Sequence, residues 1–381
     1  MFGDYIMKQY FINKHKFFYY SAKISIIILS LLTIFCRGSS KLVNNYSSNM
    51  PVDVYVGGSV SSGAVYWKNG EMVQLSTKHS EVTSIAVKGN DIYAGGYYKK
   101  YIPGEYEAVD ITVPGYWKNG EWVGLSVLDS NKGSAVKAMF INGDDVYACG
   151  YSTNRSGIRV YGYWKNKKWV GLPFSFNYSV NSIFVVNDDI YACGSMKRGN
   201  VLIPVFWKNG ECVELSFLSD NKYGWANSIF VSNNDVYIYG SCKNSSGDLI
   251  VCYWKNGEII PLLSSDPEYT LSATSIFISG KDIYIGGYRM YRYYTPFASV
   301  VAGYWKNNKW IALIPFDDKK NSEVSSIFVY GKDVYACGYS DNSDGDEIPG
   351  YWKNGEWVGF AEKGHYFPVS SIVVVPRPTG E

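Results

Sequence analysis

Residues 136–172, VKAMFINGDDVYACGYSTNRSGIRVYGYWKNKKWVGL, contain one complete copy of a unit that recurs along the chain. Its runs of β-branched and aromatic residues, separated by turn-forming residues, predict four strands: A (Val136–Asn142), B (Asp145–Tyr151), C (Arg159–Lys165) and D (Lys168–Leu172). The A-to-B link is a Gly/Asn/Asp turn. The C-to-D link is usually Lys-Asn-Gly-Glu, in which Asn-Gly favours a tight hairpin turn. Each unit is therefore predicted to be two local antiparallel hairpins.

Three elements of the unit each occur seven times. Trp-Lys-Asn begins at Trp67, Trp117, Trp164, Trp207, Trp254, Trp305 and Trp352. Asp-Val/Ile-Tyr begins at Asp53, Asp91, Asp145, Asp189, Asp235, Asp282 and Asp333. A run related to Ser-Ile-Phe-Val is centred on Ile85, Met139, Ile183, Ile229, Ile276, Ile327 and Ile372. Since four-stranded units of this length in seven copies are typical of a β-propeller, the sequence predicts an all-β, seven-bladed propeller with strand A innermost.

The ends of the repeat array predict how the ring closes. The first blade begins at strand B (Val52–Gly58) with no strand A before it, and the chain finishes with a lone strand A (Ser370–Val375). We expect the last strand to complete the first blade, because closure removes an open sheet edge.

Two features of the repeat carry a family resemblance. Strand B ends in two glycines at Gly57-Gly58, Gly95-Gly96 and Gly286-Gly287. A Tyr on strand C and a Trp on strand D are paired in Tyr116/Trp122, Tyr163/Trp169, Tyr304/Trp310 and Tyr351/Trp357. In both respects residues 52–375 resemble the kelch repeat family, although the first glycine is replaced by Cys149, Cys193, Cys337 and Tyr239 in four blades. The resemblance implies the propeller fold and leaves function to the loops.

Composition and charge bound the function classes. The chain has 381 residues, of which 46% are hydrophobic and 18% charged, enough for a sizeable core. Residues 1–40 hold five of its 36 basic residues and one of its 34 acidic residues, which leaves 31 against 33 and a net charge of −2 for the body. A nearly neutral body gives no electrostatic footprint for nucleic acid. We expect a monomer that binds no nucleic acid.

The N-terminus is predicted to be an export segment. A basic stretch, Lys8 to Lys23, precedes the apolar run Ile24 to Phe35, which at twelve residues is shorter than a transmembrane helix. Cys36 resembles the lipid-modified cysteine of bacterial lipoproteins, but Phe35 stands where that pattern has a small residue, so cleavage after Ser40 is the alternative. The predicted organisation is an export signal at 1–40, a linker at 41–51, the propeller at 52–375 and a tail at 376–381. Such a protein is periplasmic, surface-exposed or secreted. If Cys36 is the processing site, its membrane contact is a lipid at that residue; if cleavage falls after Ser40, the protein carries no such anchor.

The links that vary in length predict the binding surface. B-to-C and D-to-A links vary and emerge on the same face of an up-and-down blade, whereas the other two kinds are short and uniform. The variable links carry aromatic and basic residues of the kind that recognition surfaces favour. We predict a ligand-binding role, for a protein or a glycan, for Tyr97, Tyr98, Lys99, Tyr101, Tyr223, Trp225, Arg289, Tyr291, Arg292, Tyr293 and Tyr294. Trp225 is assigned to a D-to-A loop. The alternative is that these aromatics only cover blade edges.

Residues that recur in every blade are predicted to be structural. The Asp series is interpreted as turn acceptors and the Trp series as filler between blades. A serine precedes the central residue of strand A at Ser84, Ser182, Ser228, Ser275, Ser326 and Ser371, with Ala138 completing the ring. These serines are predicted to line the channel mouth. The alternative is that small residues are needed where seven strands crowd near the axis.

An enzyme is the competing functional hypothesis, either a glycan hydrolase or a copper oxidase. His79 and His365 lie in D-to-A loops beside the first blade but have no metal-ligand spacing, and the acidic run 341–347 lacks calcium-loop spacing. We therefore predict no catalytic residue, no metal and no cofactor, and interpret 341–347 as a solvated hairpin tip. Cys149, Cys193 and Cys337 are predicted to be buried and unpaired, and an oxidising compartment would permit a disulfide between Cys242 and Cys252.

Overall fold

The computed structural model describes residues 51–77, 79–102, 109–173, 178–262, 268–291, 300–360 and 368–377. No helix long and apolar enough to cross a membrane occurs among them. They form the strands β1 (Val52–Val60), β2 (Gly63–Lys68), β3 (Glu71–Gln74), β4 (Ser80–Lys88), β5 (Asp91–Ile102), β6 (Val109–Lys118), β7 (Glu121–Gly124), β8 (Ser134–Asn142), β9 (Asp145–Thr153), β10 (Arg159–Lys165), β11 (Lys168–Gly171), β12 (Tyr178–Val186), β13 (Asp189–Arg198), β14 (Val201–Lys208), β15 (Glu211–Glu214), β16 (Gly224–Ser232), β17 (Asp235–Lys243), β18 (Leu249–Lys255), β19 (Glu258–Pro261), β20 (Tyr269–Ser279), β21 (Asp282–Tyr291), β22 (Val300–Lys306), β23 (Lys309–Ala312), β24 (Ser322–Tyr330), β25 (Asp333–Asp341), β26 (Glu347–Lys353), β27 (Glu356–Gly359) and β28 (Val369–Pro376).

The strands form seven four-stranded antiparallel sheets, each in the order A-B-C-D. Blade 1 consists of β28, β1, β2 and β3, and blades 2 to 7 take the following strands in groups of four. Each inner strand contacts the inner strands of both neighbouring blades, which closes a ring of seven around the axis. The predicted seven-bladed propeller with strand A innermost is confirmed. The structure extends strand B of blade 3 to Thr153 and begins its strand A at Ser134.

The C-terminal strand closes the ring as the sequence predicted. β28 pairs antiparallel with β1 from Val52 opposite Pro376 to Gly58 opposite Val369. Just beyond this pairing, the Arg377 guanidinium lies 2.9 Å from the carboxylate of Asp53. The two ends of the propeller are therefore joined by a full sheet edge and by an ion pair on a buried carboxylate.

Every inner strand carries a β-bulge at the same place, a feature that the repeat pattern does not predict. The register with strand B skips one residue at Thr83, Lys137, Asn181, Asn227, Thr274, Ser325 and Ser370. The bulge brings the inner strand close to the second glycine of strand B, so that a Cβ on Gly96 would lie 1.9 Å from the carbonyl oxygen of Glu81. This close approach explains why that glycine recurs in all seven blades while the first glycine is replaceable.

The recurrent Asp joins strand B to the C-to-D turn. In blade 3, Asn166 Nδ2 donates to Asp145 Oδ1 at 2.6 Å, and Lys165 Nζ lies 3.1 Å from Asp145 Oδ2. Asn166 takes a positive φ of 46°, and its Oδ1 accepts the Val146 N–H at 2.9 Å. The hydrogen bonds from Asn166 and Lys165 lower the pKa of Asp145. The same Asn-to-Asp hydrogen bond recurs in every blade. The recurrent Asp therefore stabilises the C-to-D turn, and not only the A-to-B turn that it follows.

Aromatic side chains fill the space between blades. The strand-C tryptophans are at most 3% exposed, and the indole N–H of Trp164 donates to the Ser126 carbonyl at 2.6 Å. Nearer the axis, phenylalanines on successive inner strands contact one another with ring centroids 4.6 to 5.0 Å apart, in the order Phe140, Phe184, Phe230, Phe277 and Phe328. These contacts confirm that the Trp series packs in the core.

Candidate functional site

A cavity of about 570 Å³ lies where two kinds of variable link meet between blades 2 and 3. One wall comes from the β5–β6 hairpin, a second from the D-to-A link before β8, and a third from the β9–β10 hairpin. The structure thus brings a B-to-C hairpin and a D-to-A link together on one surface. We call this space the interblade cavity. Its polar and aromatic lining includes Asp110, Asn131, Lys132, Tyr151, Thr153 and Arg159.

The third wall of the interblade cavity combines an aromatic ring with a cation. Arg159 is the first residue of β10 and pairs with Thr153 at the end of β9. Its guanidinium lies 4.5 Å from the ring centroid of Tyr151, a cation–π contact that holds the charge over the ring. Arg159 is exposed and Tyr151 is half-buried, so one side of this pair faces solvent.

Local hydrogen bonds fix the loops around the cavity. The Thr153 hydroxyl donates to the Gly133 carbonyl, which ties the β9–β10 hairpin to the D-to-A link. In that link the Asn131 N–H donates to Asp129 Oδ1 at 2.9 Å. At the hairpin tip Asn154 Oδ1 accepts the Ile158 N–H at 3.0 Å. These bonds hold two of the walls, and the pairing of β5 with β6 as far as Ile102 opposite Val109 holds the other. The cavity is therefore pre-formed, as ligand sites usually are.

Sequence reasoning missed Arg159 and Tyr151 as site residues. Both lie at the ends of strands of the regular repeat, where the sequence predicts blade structure and not a variable link. A signal was present, since the first residue of strand C is an exposed arginine in blade 3 but Leu249 in blade 5 and Glu347 in blade 7. A position at which charge changes from blade to blade is not required for packing.

The blade 2 group, predicted to be a loop, lies in a long strand. Tyr97, Tyr98, Lys99 and Tyr101 all belong to β5. Tyr98 packs edge-on against Trp122, with ring centroids 5.1 Å apart. Lys99 and Tyr101 are exposed, Tyr101 at 68%, and the next residue, Ile102, lines the interblade cavity.

Tyr97 points its hydroxyl at a carboxylate of the inner strand. Glu81, directly opposite on β4, hydrogen-bonds the Tyr97 hydroxyl. Burial raises the pKa of Tyr97, and the Glu81 carboxylate raises it further. Tyr97 is thus partly used within the blade, whereas Lys99 and Tyr101 are presented to solvent.

The blade 6 group also begins in a strand and not in a loop. Arg289 and Tyr291 lie at the end of β21. The Arg289 guanidinium lies 4.6 Å from the Trp310 ring, and the Tyr291 ring centroid is 4.2 Å from that of Tyr269. The other members of this group, Arg292, Tyr293 and Tyr294, lie outside the described residues.

The assignment of Trp225 to a loop was wrong. It is the second residue of the inner strand β16, half-buried and opposite Ser241. Tyr223 lies just before the strand, and its ring centroid is 6.1 Å from that of Trp225, with the two rings nearly perpendicular. The Lys243 ammonium lies 4.8 Å from the Tyr223 ring centroid. The inner strand begins earlier than its apolar core because its pairing with β17 continues beyond the bulge, as far as Gly224 opposite Cys242.

The predicted channel-mouth serines lie in the middle of the inner strands. Ser84 donates to the Met139 carbonyl of the next blade at 3.4 Å. Ser182 and Ser275 accept backbone N–H groups of Ile229 and Ile327 at 3.4 and 2.8 Å. Ser228, Ser326 and Ser371 are half-buried at the equivalent positions. Three of these serines thus form hydrogen bonds between neighbouring blades. Their role at the channel mouth stays a prediction.

Three carboxylates cluster on blade 7. Glu323 lies opposite Tyr339, whose hydroxyl hydrogen-bonds it, and Asp341 lies opposite Glu347. Burial raises the pKa of Asp341, which is 8% exposed and has one carboxylate oxygen without a hydrogen-bond partner. Burial and the charge of Asp341 raise the pKa of both Glu323 and Glu347. The run 341–347 is a solvated hairpin tip only in its middle, where Asn342 Oδ1 accepts the Asp344 and Asp346 N–H groups, because Asp341 ends β25 and is buried while Glu347 begins β26.

The remaining candidates are cysteines and histidines. All six cysteines among the described residues are free, including Cys242 and Cys252, and the register places Gly240, not Cys242, opposite Cys252. Burial raises the pKa of Cys149 and Cys337 to about 12. His79 is exposed, while His365 and Cys36 fall outside the described residues. Within the part of the chain that the structure describes, no three His, Cys, Asp or Glu side chains are placed to hold a metal ion.

No protein-family model matches the sequence, and no curated protein matches it, so the kelch resemblance stays a prediction. Among solved structures, TolB from Acinetobacter baumannii aligns with a TM-score of 0.42 and 8% identity over 87% of this chain and 69% of that one. SapL1 lectin, in complex with alpha methyl fucoside, aligns with a TM-score of 0.40 and 13% identity over 72% of this chain and 93% of that one. A thermostable family-43 glycoside hydrolase aligns with a TM-score of 0.37 and 11% identity over 61% of this chain and 92% of that one. At these values the function has to be inferred from the chain's own residues.

Proposed function

We propose that this seven-bladed propeller is a glycan-binding module and that the interblade cavity between blades 2 and 3 is its binding site. The observation that carries the proposal is the pre-formed cavity of about 570 Å³ with an aromatic ring and polar groups in its walls. Its volume is within the range of small-ligand sites. The variable face supplies this site, while the repeated residues of the blades hold it in place.

The lining suits a polyhydroxylated ligand. Asp110 supplies acceptors only, Arg159 donors only, and Asn131 both, so hydroxyl groups that donate and accept can be satisfied together. The Tyr151 ring, which carries the Arg159 guanidinium, adds apolar surface to the same wall of the cavity. Beside the cavity, the exposed Tyr101 and Lys99 of the same β5 strand would extend the contact to a neighbouring sugar unit.

An oligosaccharide panel tests the proposal, with Asp110→Ala as the diagnostic variant. Losing a charged hydrogen-bond acceptor costs roughly 1.5–3 kcal/mol, so affinity should fall about tenfold or more. Asp144→Ala is the matched control, because Asp144 is also exposed but lies in the A-to-B turn, paired with Lys88 on the other face. If no oligosaccharide binds, or if both variants bind like the parent protein, the proposal fails.

The blade 7 carboxylates favour a second candidate function, glycan hydrolysis. A carboxyl group with a raised pKa can act as a general acid, and Glu323, Asp341 and Glu347 all have raised pKa values. The test is release of reducing sugar from any glycan that binds. Hydrolysis that Glu323→Gln abolishes, with binding retained, would establish the enzyme in place of the simple binding module.

We further propose that the protein acts outside the cytoplasm. The support is the basic and apolar sequence of residues 1–40, with Cys36 or the bond after Ser40 as the processing site. Labelling with radioactive palmitate, compared between the parent protein and Cys36→Ser, distinguishes the two. Protection of the protein from protease on intact and on outer-membrane-permeabilised cells would refute export altogether.

A further inference from the structure

Arg159 lacks the acidic partner that the strand-C lysines and Arg198 have. The strand-C lysines lie within 4 Å of the recurrent Asp of their own blade, and Arg198 in blade 4 lies 2.6 Å from Glu214. No carboxylate of the described residues lies within 4 Å of Arg159, whose guanidinium instead rests 4.5 Å from the Tyr151 ring. Stacking restricts the side chain and leaves its N–H groups available.

A second cation lines the same cavity. Lys132 is exposed on the D-to-A link, and its backbone N–H donates to the Asp129 carbonyl at 3.2 Å, which fixes where the side chain starts. No ion pair joins Lys132 to a carboxylate of the described residues. Asp110 is the acidic group among the lining residues, so the described lining carries two positive charges against one negative.

We infer that the interblade cavity binds a glycan bearing a carboxylate or sulfate group, with that group held by Arg159 and Lys132. The planar guanidinium fork can donate two parallel hydrogen bonds to two oxygens of either anion. Lys132 adds a second positive charge from the neighbouring wall, and Asp110 accepts from sugar hydroxyls. This inference rests on the proposed function and names the class of glycan.

Three probes separate the inference from the function on which it rests. These are an oligosaccharide of hexuronic acids, its carboxyl-reduced neutral counterpart and a sulfated oligosaccharide of similar length. With the full chain, we expect the hexuronic acid or the sulfated probe to bind at least about tenfold more tightly than the neutral one, because a charged pair is lost in the latter. The better of the two acidic probes identifies the anion.

Variants of two exposed arginines decide the outcome. Arg159→Gln should abolish the preference for the acidic probe, Arg159→Lys should retain part of it, and Arg198→Gln is the control, since Arg198 is paired with Glu214. If the neutral probe binds as tightly as the acidic ones, or if Arg159→Gln weakens all probes equally, this inference fails and glycan binding stands. If none of the three probes binds, this inference fails, and glycan binding fails with it only if the whole oligosaccharide panel is also negative.

Discussion

Removing β28 is the perturbation that tests the closed ring most directly. A chain ending at Pro368 loses three side chains that are at most 5% exposed, those of Val369, Ile372 and Val374. At roughly 1.5–3 kcal/mol for each buried side chain, the loss is about 5–9 kcal/mol. A domain is stabilised by only about 5–15 kcal/mol in total, so the shortened chain should keep little native population. Urea unfolding followed by tryptophan fluorescence measures this.

A point variant keeps the test decisive if the shortened chain does not fold. Ile372→Ala should cost roughly 2–5 kcal/mol, as expected for a buried aliphatic side chain. Ile229→Ala is the matched control, because Ile229 is 3% exposed at the equivalent position of blade 5 and Ile372 is 4% exposed. Comparable losses mean that β28 is as integral as an internal strand. The reasoning is refuted if Ile372→Ala costs less than about 1 kcal/mol while Ile229→Ala shows the full loss, or if the shortened chain unfolds at the same urea concentration as the parent.

Three further predictions concern single side chains. Asp341→Asn should stabilise the protein at neutral pH by roughly 1 kcal/mol, and this gain should vanish as the pH falls to about 4. The reason is that the pKa of Asp341 is raised in the folded state, so its ionised carboxylate destabilises the fold and its protonated form does not. Thermal unfolding of both proteins across this pH range is the measurement. Trp225→Ala should cost about half of the roughly 3–5 kcal/mol expected for the fully buried Trp254, because Trp225 is half-buried; equal losses in urea unfolding would contradict its placement. Asn166→Asp should lower the urea concentration of unfolding at neutral pH and lower it less in acid, since it sets a second carboxylate against Asp145; a pH-independent loss would argue against that contact.

The sequence predicted the architecture because a strand or turn that is ambiguous in one copy of the repeat is supported by the same pattern in the other six. Seven copies of the Asp, Trp and Gly positions predict the blade number, the strand order and the closing strand without any distance information. The sequence could not show which residue each repeated side chain hydrogen-bonds. The recurrent Asp reaches the Asn of the C-to-D turn across two strands, as Asp145 reaches Asn166 across 21 positions, and only pairing register brings such residues together.

The binding face could be predicted in outline and not in detail. Link lengths alone indicated which face varies, and the β5 strand beside the interblade cavity was among the segments chosen. The individual residues were harder to predict, since each inner strand keeps its pairing beyond the bulge, which makes Trp225 a strand residue and not the predicted loop residue. A one-residue register shift changes which side chains share a surface, and it leaves no composition signal.

The sequence by itself therefore determined the ring, its closure and the residues that every blade repeats, because those depend on local strand and turn preferences copied seven times. Only the tertiary structure decided that Arg159 and Tyr151 of one blade, Lys132 of the preceding link and Asp110 of the neighbouring blade line one cavity. The physical reason is that a propeller builds its surface from links of adjacent blades. Residues far apart in the chain meet there through sheet twist and side-by-side packing of blades, neither of which is encoded in any single repeat.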